Sequence, residues 1–279
     1  MQKSVLITGG AARIGKALSL GLAQDGWAVA VHYNRSKAAA EAVCAQIAKA
    51  GGQAVAVGGN LAVPFERDDL LARAGAALSR PITALINNAS TFSPDAAGDF
   101  SPAQYDHHFD VNLKAPLLLS QQFANTLPKH ANGVIINMID QRVLRPAPDF
   151  FTYGISKSAL FAATHTMAQT FAPRIRVCGV GPGATLKNTH QSGADFAAEI
   201  EKSILKTGSP PDTILQAVRY LLAAKAVTGQ MIAVDGGVRI ALPGDPDYGA
   251  PMGVPDQSID WMRIADSRQV TGFDPVDPS

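Results

Sequence analysis

Hydrophobic positions along the chain follow two alternating patterns. Short apolar runs are typical of buried strands, and longer stretches with apolar residues three or four positions apart are typical of amphipathic helices. The predicted strands cover residues 4–7, 28–32, 54–57, 84–86, 133–137, 174–180 and 231–234. The predicted helices cover residues 14–25, 37–50, 66–79, 102–130, 153–171 and 210–225.

This alternation predicts the fold class. Helix-sized connections between buried strands indicate a parallel sheet, because parallel neighbours need a long crossover. Right-handed crossovers then cover both faces with helices. We therefore predict an α/β fold, a doubly wound, Rossmann-like sheet of about seven strands, with residues 1–240 as one domain.

The pattern changes after residue 240. Residues 241–279 contain six Pro and seven Asp and have no clear helical period. We interpret this segment as a C-terminal tail. Its Trp261 and Phe273 are costly to leave in water, so part of the tail is expected to pack on its own subunit or on a neighbour.

Composition narrows the choice of function. The 279 residues are 47% hydrophobic and 17% charged, enough for a sizeable core and too apolar for a disordered chain. The net charge of +1 argues against a nucleic-acid partner. The sequence has no apolar run of membrane-spanning length and no secretory leader, and its two cysteines, Cys44 and Cys178, are far apart. We expect a cytoplasmic protein.

A glycine-rich turn follows the first strand. In Thr8-Gly9-Gly10-Ala11-Ala12-Arg13-Ile14-Gly15, glycines allow a tight turn and bring backbone N–H groups close to a pyrophosphate at a helix N-terminus. This context predicts nucleotide binding, with a purely structural turn as the alternative. Arg13 occupies a place where many such loops have glycine, and its cation can reach phosphate or the polar edge of a substrate.

The end of the second strand predicts which nucleotide binds. An NAD site places a carboxylate there for the ribose 2′-hydroxyl, and none is present. His32, Arg35 and Ser36 instead offer donors that suit a 2′-phosphate, so we predict NADP(H). The alternative is that Arg35 and Ser36 are the solvated start of the second helix, with Ser36 as its N-cap. Asn60, after the third strand, is interpreted equally well as an adenine contact or as a turn residue.

Tyr153 and Lys157 provide the candidate chemistry. Their spacing of four residues puts both on one face of a predicted helix. An ammonium beside a phenol is expected to lower the phenol pKa and make it a usable proton donor near neutral pH. Taken alone, the pair is also compatible with an ordinary surface contact.

Together these motifs resemble the short-chain dehydrogenase/reductase family over roughly residues 1–240. The matching residues are Thr8, Gly9, Gly15, Asn87, Asn88, Ala89, Asn112, Tyr153, Lys157, Pro182 and Gly183. The resemblance implies that Asn112 anchors a water chain behind Lys157. It also implies a variable substrate loop and lid over 185–208, with Thr185 and Leu186 as open candidates for contacts, and a homodimer or homotetramer formed through the long helices.

One departure from the family narrows the substrate. The family normally has Ser thirteen residues before the Tyr, and this chain has Asp140. A carboxylate accepts hydrogen bonds and suits a substrate with N–H groups, although Asp140 could instead cap the following segment. With Arg13, Ser90 and Phe92, the chain resembles the pteridine reductase branch, in which the Phe stacks on the pterin.

These interpretations define the expected site. The residues expected to contact the cofactor are Gly9, Arg13, Ile14, Gly15, His32, Asn34, Arg35, Ser36, Asn60, Leu61, Asn88, Ala89, Ser90, Tyr153, Lys157, Pro182 and Gly183. The expected catalytic residues are Asp140, Tyr153, Lys157 and Asn112, and the expected substrate contacts are Arg13, Ser90, Phe92, Asp140 and Tyr153.

The predicted reaction is NADPH-dependent reduction of a pterin or folate ring. The alternatives are a keto-reductase acting on an acyl or sugar carbonyl, and a non-catalytic NADPH-binding regulator. No metal is expected, because His107 and His108 are adjacent on a helix and point apart. His165 and His190 are interpreted as structural or exposed.

Overall fold

A computed structural model describes residues 3–187 and 191–240 of the protein. Across these residues a seven-stranded sheet has the order β3-β2-β1-β4-β5-β6-β7, and every neighbouring pair is parallel. The strands are β1 (Ser4–Ile7), β2 (Ala28–Tyr33), β3 (Ala54–Gly58), β4 (Ala84–Asn87), β5 (Gly133–Met138), β6 (Ile175–Pro182) and β7 (Met231–Val234). The predicted doubly wound fold is confirmed.

Helices cover both faces of this sheet. They are α1 (Arg13–Gln24), α2 (Lys37–Lys49), α3 (Pro64–Arg67), α4 (Leu70–Leu78), α5 (Pro102–Phe109), α6 (Ala115–Thr126), α7 (Phe151–Phe171), α8 (Gly193–Glu201) and α9 (Pro211–Ala223). Successive residues of β1 explain the two layers. Val5 and Ile7 pack in one hydrophobic cluster with α1, α2 and α9, and Leu6 packs in the other with α4, α6 and α7.

Two predicted helices are interrupted in the structure. The stretch 102–130 forms α5, then a π-helical turn at Asp110–Lys114, then α6. Pro116 lies in the first turn of α6 and has no N–H to continue an α-helical ladder, which explains the break. The stretch 66–79 is likewise divided into α3 and α4. Asp69, directly before α4, accepts a hydrogen bond from the Arg73 side chain at 2.8 Å.

The strand order places a crevice beside β1. This strand pairs with β2 on one side and β4 on the other, so the connections leaving β1 and β4 diverge at their carboxyl ends. Ligands of doubly wound sheets bind at such a point. Among the described residues, no helix has both the length and the apolar character needed to cross a bilayer. The tail predicted for 241–279 and His190 lie outside the described residues.

Candidate active site

A cavity of about 970 Å³ opens at the carboxyl ends of the strands. It brings together most of the predicted site, since Arg35, Ser36 and Asn112 are the only predicted residues that do not line it. The predicted residues that line it are Gly9, Arg13, Ile14, Gly15, His32, Asn34, Asn60, Leu61, Asn88, Ala89, Ser90, Phe92, Asp140, Tyr153, Lys157, Pro182 and Gly183. Segments far apart in sequence therefore converge on one volume.

The glycine-rich turn has the shape that close approach of a ligand requires. Gly9 has a φ of +63°, and a Cβ at Gly15 would lie 2.1 Å from the Gly9 carbonyl oxygen. Asn88 braces the turn by donating its side-chain amide to the carbonyls of Thr8 at 2.8 Å and Gly9 at 3.2 Å. Ala12, before α1, makes no side-chain cap, and Ala12, Ile14 and Gly15 line the cavity, so the first turn of this helix lies where an anion could be bound.

Arg13 adopts an uncommon backbone conformation. Its φ is +50°, in the left-handed region that favours glycine, and this agrees with the glycine often found there. Its guanidinium donates to the carbonyls of Leu186 at 2.9 Å and Lys187 at 3.1 Å. In this structure Arg13 therefore connects the turn after β1 to the segment after β6, at the rim where phosphate and substrate contacts were predicted.

The prediction that His32 donates a hydrogen bond to the 2′-phosphate is wrong. Its Nδ1 accepts from the Gly9 N–H at 3.0 Å, and its Nε2 donates to the Gly59 carbonyl at 2.8 Å. Burial lowers the pKa of His32 to about 4, so the ring is neutral and both nitrogens are used within the protein. His32 holds the glycine turn against the turn after β3 and has no donor left for a 2′-phosphate.

Arg35 and Ser36 remain suited to that phosphate. Both are exposed just beyond β2, and Ser36 occupies the N-cap position of α2 without a side-chain cap bond. The alternative, in which Arg35 and Ser36 are the solvated start of the second helix with Ser36 at its N-cap, therefore holds for their position, although the Ser36 side chain makes no cap hydrogen bond. Asn60 uses its side-chain oxygen in a turn, accepting from the Ala62 N–H at 3.1 Å, while it also lines the cavity.

Asp140 and Tyr153 are joined by a direct hydrogen bond. The Tyr153 hydroxyl donates to Asp140 Oδ2 at 2.6 Å, and Asp140 Oδ1 accepts from the Arg142 N–H at 2.8 Å. The carboxylate thus caps the short 3₁₀ turn Gln141–Leu144 and faces the phenol at the same time. The capping interpretation of Asp140 is confirmed, and its contact with substrate N–H groups stays a prediction.

The expected direction of the Tyr153 pKa is wrong. Burial, with the charge and hydrogen bond of Asp140, raises it well above the usual value, and Arg142 opposes this only weakly. Burial also lowers the pKa of Lys157 to about 8, against the attraction of Asp140. The Lys157 ammonium donates to the Met138 carbonyl at 2.8 Å. Tyr153 is therefore a protonated donor at neutral pH.

An aromatic wall stands beside the phenol. The Phe92 ring is edge-on to Tyr153 with centroids 4.7 Å apart and is stacked on Phe150 at 4.0 Å. The Arg142 guanidinium lies 5.2 Å from the Phe150 ring centroid and pairs with Asp149 at 2.9 Å. Phe150, Arg142 and Asp149 were not predicted from the sequence, in which the available signal was an aromatic residue three positions before Tyr153.

Asn112 lies in the π-helical turn and holds the segment before Phe92. Its Oδ1 accepts from the Thr91 N–H at 2.8 Å and the Ser90 hydroxyl at 3.1 Å, and its Nδ2 donates to the Thr91 carbonyl and to Ser156. Its side chain therefore positions Ser90 and Thr91. The water chain implied by the family stays a prediction.

The end of β6 completes the cavity wall. A Cβ at Gly183 would lie 2.7 Å from the Asp235 Cα, so the segments after β6 and β7 approach closely there.

On α5, His107 lines the cavity whereas His108 is buried. Within the described ranges, no group of three or more His, Cys, Asp or Glu side chains is arranged to hold a metal ion.

A glycine-rich turn on a doubly wound sheet, with a Tyr–Lys pair lining the same cavity, is typical of nucleotide-dependent oxidoreductases, and this is the class of the protein. The short chain dehydrogenase family matches residues 3–197, and the chain belongs to this family. The family predicted from the motifs is therefore confirmed.

Particular relatives differ in activity. FolM alternative dihydrofolate reductase 1 from Brucella canis, complexed with NADP, is 41% identical with a TM-score of 0.84, and the match covers 88% of this chain and 97% of that one. The angucycline C-6 ketoreductase LanV with bound NADP is 31% identical with a TM-score of 0.79, covering 86% and 96%. The 3-oxoacyl-(acyl-carrier-protein) reductase FabG of Staphylococcus epidermidis is 29% identical, covering 85% and 99%.

Proposed function

We propose that the protein is an NADPH-dependent reductase of a pterin or folate ring. The single observation that carries the proposal is the bond of 2.6 Å between the Asp140 carboxylate and the Tyr153 hydroxyl, in the same cavity as Phe92. The similarity to a dihydrofolate reductase at 41% identity supports the same substrate class.

The substrate side of the cavity suits a flat nitrogen heterocycle. Phe92 provides an aromatic face, and the Asp140 carboxylate accepts hydrogen bonds from N–H groups such as those at a pterin edge. Tyr153 donates a proton toward the same place. Asp140 therefore both orients the phenol and faces the polar edge of the ring.

The residues at the other side fit NADPH. The turn from Gly9 to Gly15 and the N-terminus of α1 would hold the pyrophosphate, and Arg35 with Ser36 would hold the 2′-phosphate. When bound, NADPH supplies the hydride for a ring C=N bond. Lys157 lies within the same cavity and would hold the nicotinamide ribose, as the family resemblance implies.

Proton delivery depends on the protonated state of Tyr153. Because its pKa is raised by burial and by Asp140, the phenol keeps its proton at neutral pH until charge develops on the substrate nitrogen. The ammonium of Lys157 lies 5.8 Å from the Tyr153 ring centroid and favours the phenolate that forms.

The second candidate is reduction of a carbonyl. It is favoured by the similarity to FabG and LanV, whose names give them keto-reductase activities. Asp140 argues against it, because an ionised carboxylate cannot donate a hydrogen bond to a substrate carbonyl. A non-catalytic NADPH-binding regulator is the third candidate, and the intact Tyr153–Lys157 pair argues against that one.

The deciding experiment follows NADPH oxidation with dihydropterins, dihydrofolate and acetoacetyl thioesters. We expect the wild type to reduce the pterin or folate substrate and Asp140→Ser to lose about 100-fold in kcat/KM with it. Asp110→Ser is the matched control, since Asp110 pairs with Lys114 and does not line the cavity. A wild-type preference for the thioester would overturn the proposal.

The oligomeric state and the end of the catalytic domain are also proposed. We propose a homodimer or homotetramer and a catalytic domain ending near residue 240. Exposed Tyr105 on α5 and Ile155 on α7 support the first part, because apolar side chains on these helices are available for a second copy. Mass measurements and activity assays on the full chain and on a variant lacking 241–279 test both.

A further inference from the structure

A buried polar cluster lies behind Tyr153 and outside the cavity lining. It consists of Asp95, Thr152 and His108, and we call it the Asp95 cluster. The Asp95 and His108 side chains are each 1% exposed, and Thr152 is fully buried. The three residues come from the segment after β4, from the first turn of α7 and from α5. Polar groups buried this deeply need a structural or functional reason.

Asp95 supplies the cap that α7 lacks locally. Phe150, the residue before this helix, has a left-handed φ of +55° and makes no side-chain bond to the helix. Asp95 Oδ1 accepts from the Thr152 N–H at 3.1 Å, and the Asp95 carbonyl accepts from the Phe151 N–H at 3.3 Å. A carboxylate near a helix N-terminus is also favoured by the helix dipole. The start of α7 is thus held by a loop 57 residues away in sequence.

The hydrogen bonds of the cluster have one consistent direction. A carboxylate only accepts, so the Thr152 hydroxyl donates to Asp95 Oδ2. Thr152 Oγ1 then accepts from His108 Nδ1 at 2.7 Å, and His108 Nε2 accepts from the Ser93 N–H at 3.2 Å. Burial lowers the pKa of His108, against the opposing charge of Asp95, and so favours the neutral ring that this pattern requires. Each end of the cluster therefore holds backbone next to the site.

We propose that the Asp95 cluster consists of positioning residues that set the Tyr153 phenol relative to the Phe92 ring. Thr152 directly precedes Tyr153, and Ser93 directly follows Phe92, so the cluster joins the two backbones that present the proton donor and the aromatic face. Their rings meet edge-on at 4.7 Å. The proposal rests on the proposed function, because it concerns the geometry of that same site.

Thr152→Val tests the proposal, because valine keeps the volume and the backbone N–H but removes the hydroxyl. We expect kcat to fall about tenfold or more, since small displacements of reacting groups are costly. The dissociation constant for NADPH should stay within about twofold, and the alkaline limb of the kcat pH profile should move. Thr152→Ser, which restores the hydroxyl, should return kcat to within about twofold of the wild type.

Thr164→Val is the matched control for a general loss of stability. Thr164 is a buried threonine of the same helix, and its hydroxyl bonds Leu160 and Asn137 away from the cavity. It should lower the melting temperature and leave kcat unchanged. Equal losses of kcat in Thr152→Val and Thr164→Val would overturn the proposal, as would an unchanged kcat in Thr152→Val. If valine at 152 prevents folding, Asp95→Asn gives the same comparison.

Crystal structures of the wild type and of a folded cluster variant separate this proposal from the function. They measure the distance between the Phe92 and Tyr153 rings without any substrate. A changed ring separation supports positioning, and an unchanged one overturns it. A wild type that reduces neither pterins nor thioesters would contradict only the proposed function.

Discussion

The two sides of the cavity are built from different kinds of contact. The proposed cofactor half, residues 8–15, 32–36 and 58–61, depends on backbone geometry, such as the left-handed Gly9 and the His32 ring hydrogen-bonded to two backbone groups. The proposed substrate half, residues 90–95 and 138–153, depends on contacts between side chains. The bonded Asp140 and Tyr153 and the stacked Phe92 and Phe150 are examples.

This difference explains how one family includes several activities. Phosphate is bound by N–H groups that nearly every residue has, so a cofactor half needs little more than glycines at the right places. A substrate half needs particular side chains, and those can change while the sheet remains. The similarity to both a dihydrofolate reductase and keto-reductases fits this division.

The largest expected effect comes from adding one methyl group to the cofactor half. In Gly15→Ala the new Cβ would lie 2.1 Å from the Gly9 carbonyl oxygen, so the turn must deform. We expect a loss of roughly 1,000-fold or more in NADPH affinity, measured by fluorescence titration.

Gly154→Ala in α7, directly after the substrate half, is the control. A Cβ there would meet nothing within 4 Å, so this variant should bind NADPH normally and gain up to about 1 kcal/mol of stability. If both variants bound NADPH equally well, the backbone would not govern the cofactor half.

The next effect is a loss of stability in acid that comes from His32. Its pKa is about 4 in the folded protein and 6.5 in an unfolded chain, so the unfolded state binds more protons between these values. Stability contributed by the neutral ring should therefore be lost as the pH falls from 6.5 to 4, by about 3 kcal/mol. Urea unfolding at several pH values measures this loss.

His32→Asn should show a shallower loss over that range, and His130→Asn, at an exposed position, should keep the wild-type slope. A wild-type curve no steeper than that of His32→Asn would contradict a structural role for the buried ring.

The smallest effect concerns the 2′-phosphate. Arg35→Ala should weaken NADPH binding about tenfold and leave NADH binding unchanged, because the guanidinium is expected to pair with the 2′-phosphate, which NADH lacks. Lys37→Ala, an exposed cation two residues further along, is the control. Equal weakening of NADPH and NADH would show that Arg35 does not recognise the phosphate.

Local sequence patterns predicted the helices and strands better than they predicted the contacts between side chains. Strand positions followed from apolar runs, and the Tyr153–Lys157 pair lies on α7 as its spacing indicated. The break at Asp110–Lys114 was missed, because a helical period continues across a π-helical turn although the hydrogen bonds change. The prediction that His32 donates to the 2′-phosphate and the prediction that the Tyr153 pKa is lowered were wrong. The burial and the neighbours of a side chain cannot be deduced from short sequence motifs.

The amino-acid sequence alone determined the sheet, the glycine turn, the family and the acid at position 140, since each depends on residue type and spacing along the chain. The tertiary structure decided that Asp140 faces the phenol, that Phe150 stacks on Phe92 and that Asp95 caps α7. Those contacts join residues brought together by packing, and their distances depend on how loops leave different strands. Burial then set the proton affinities of Tyr153, Lys157 and His32, because removal from water disfavours the charged form.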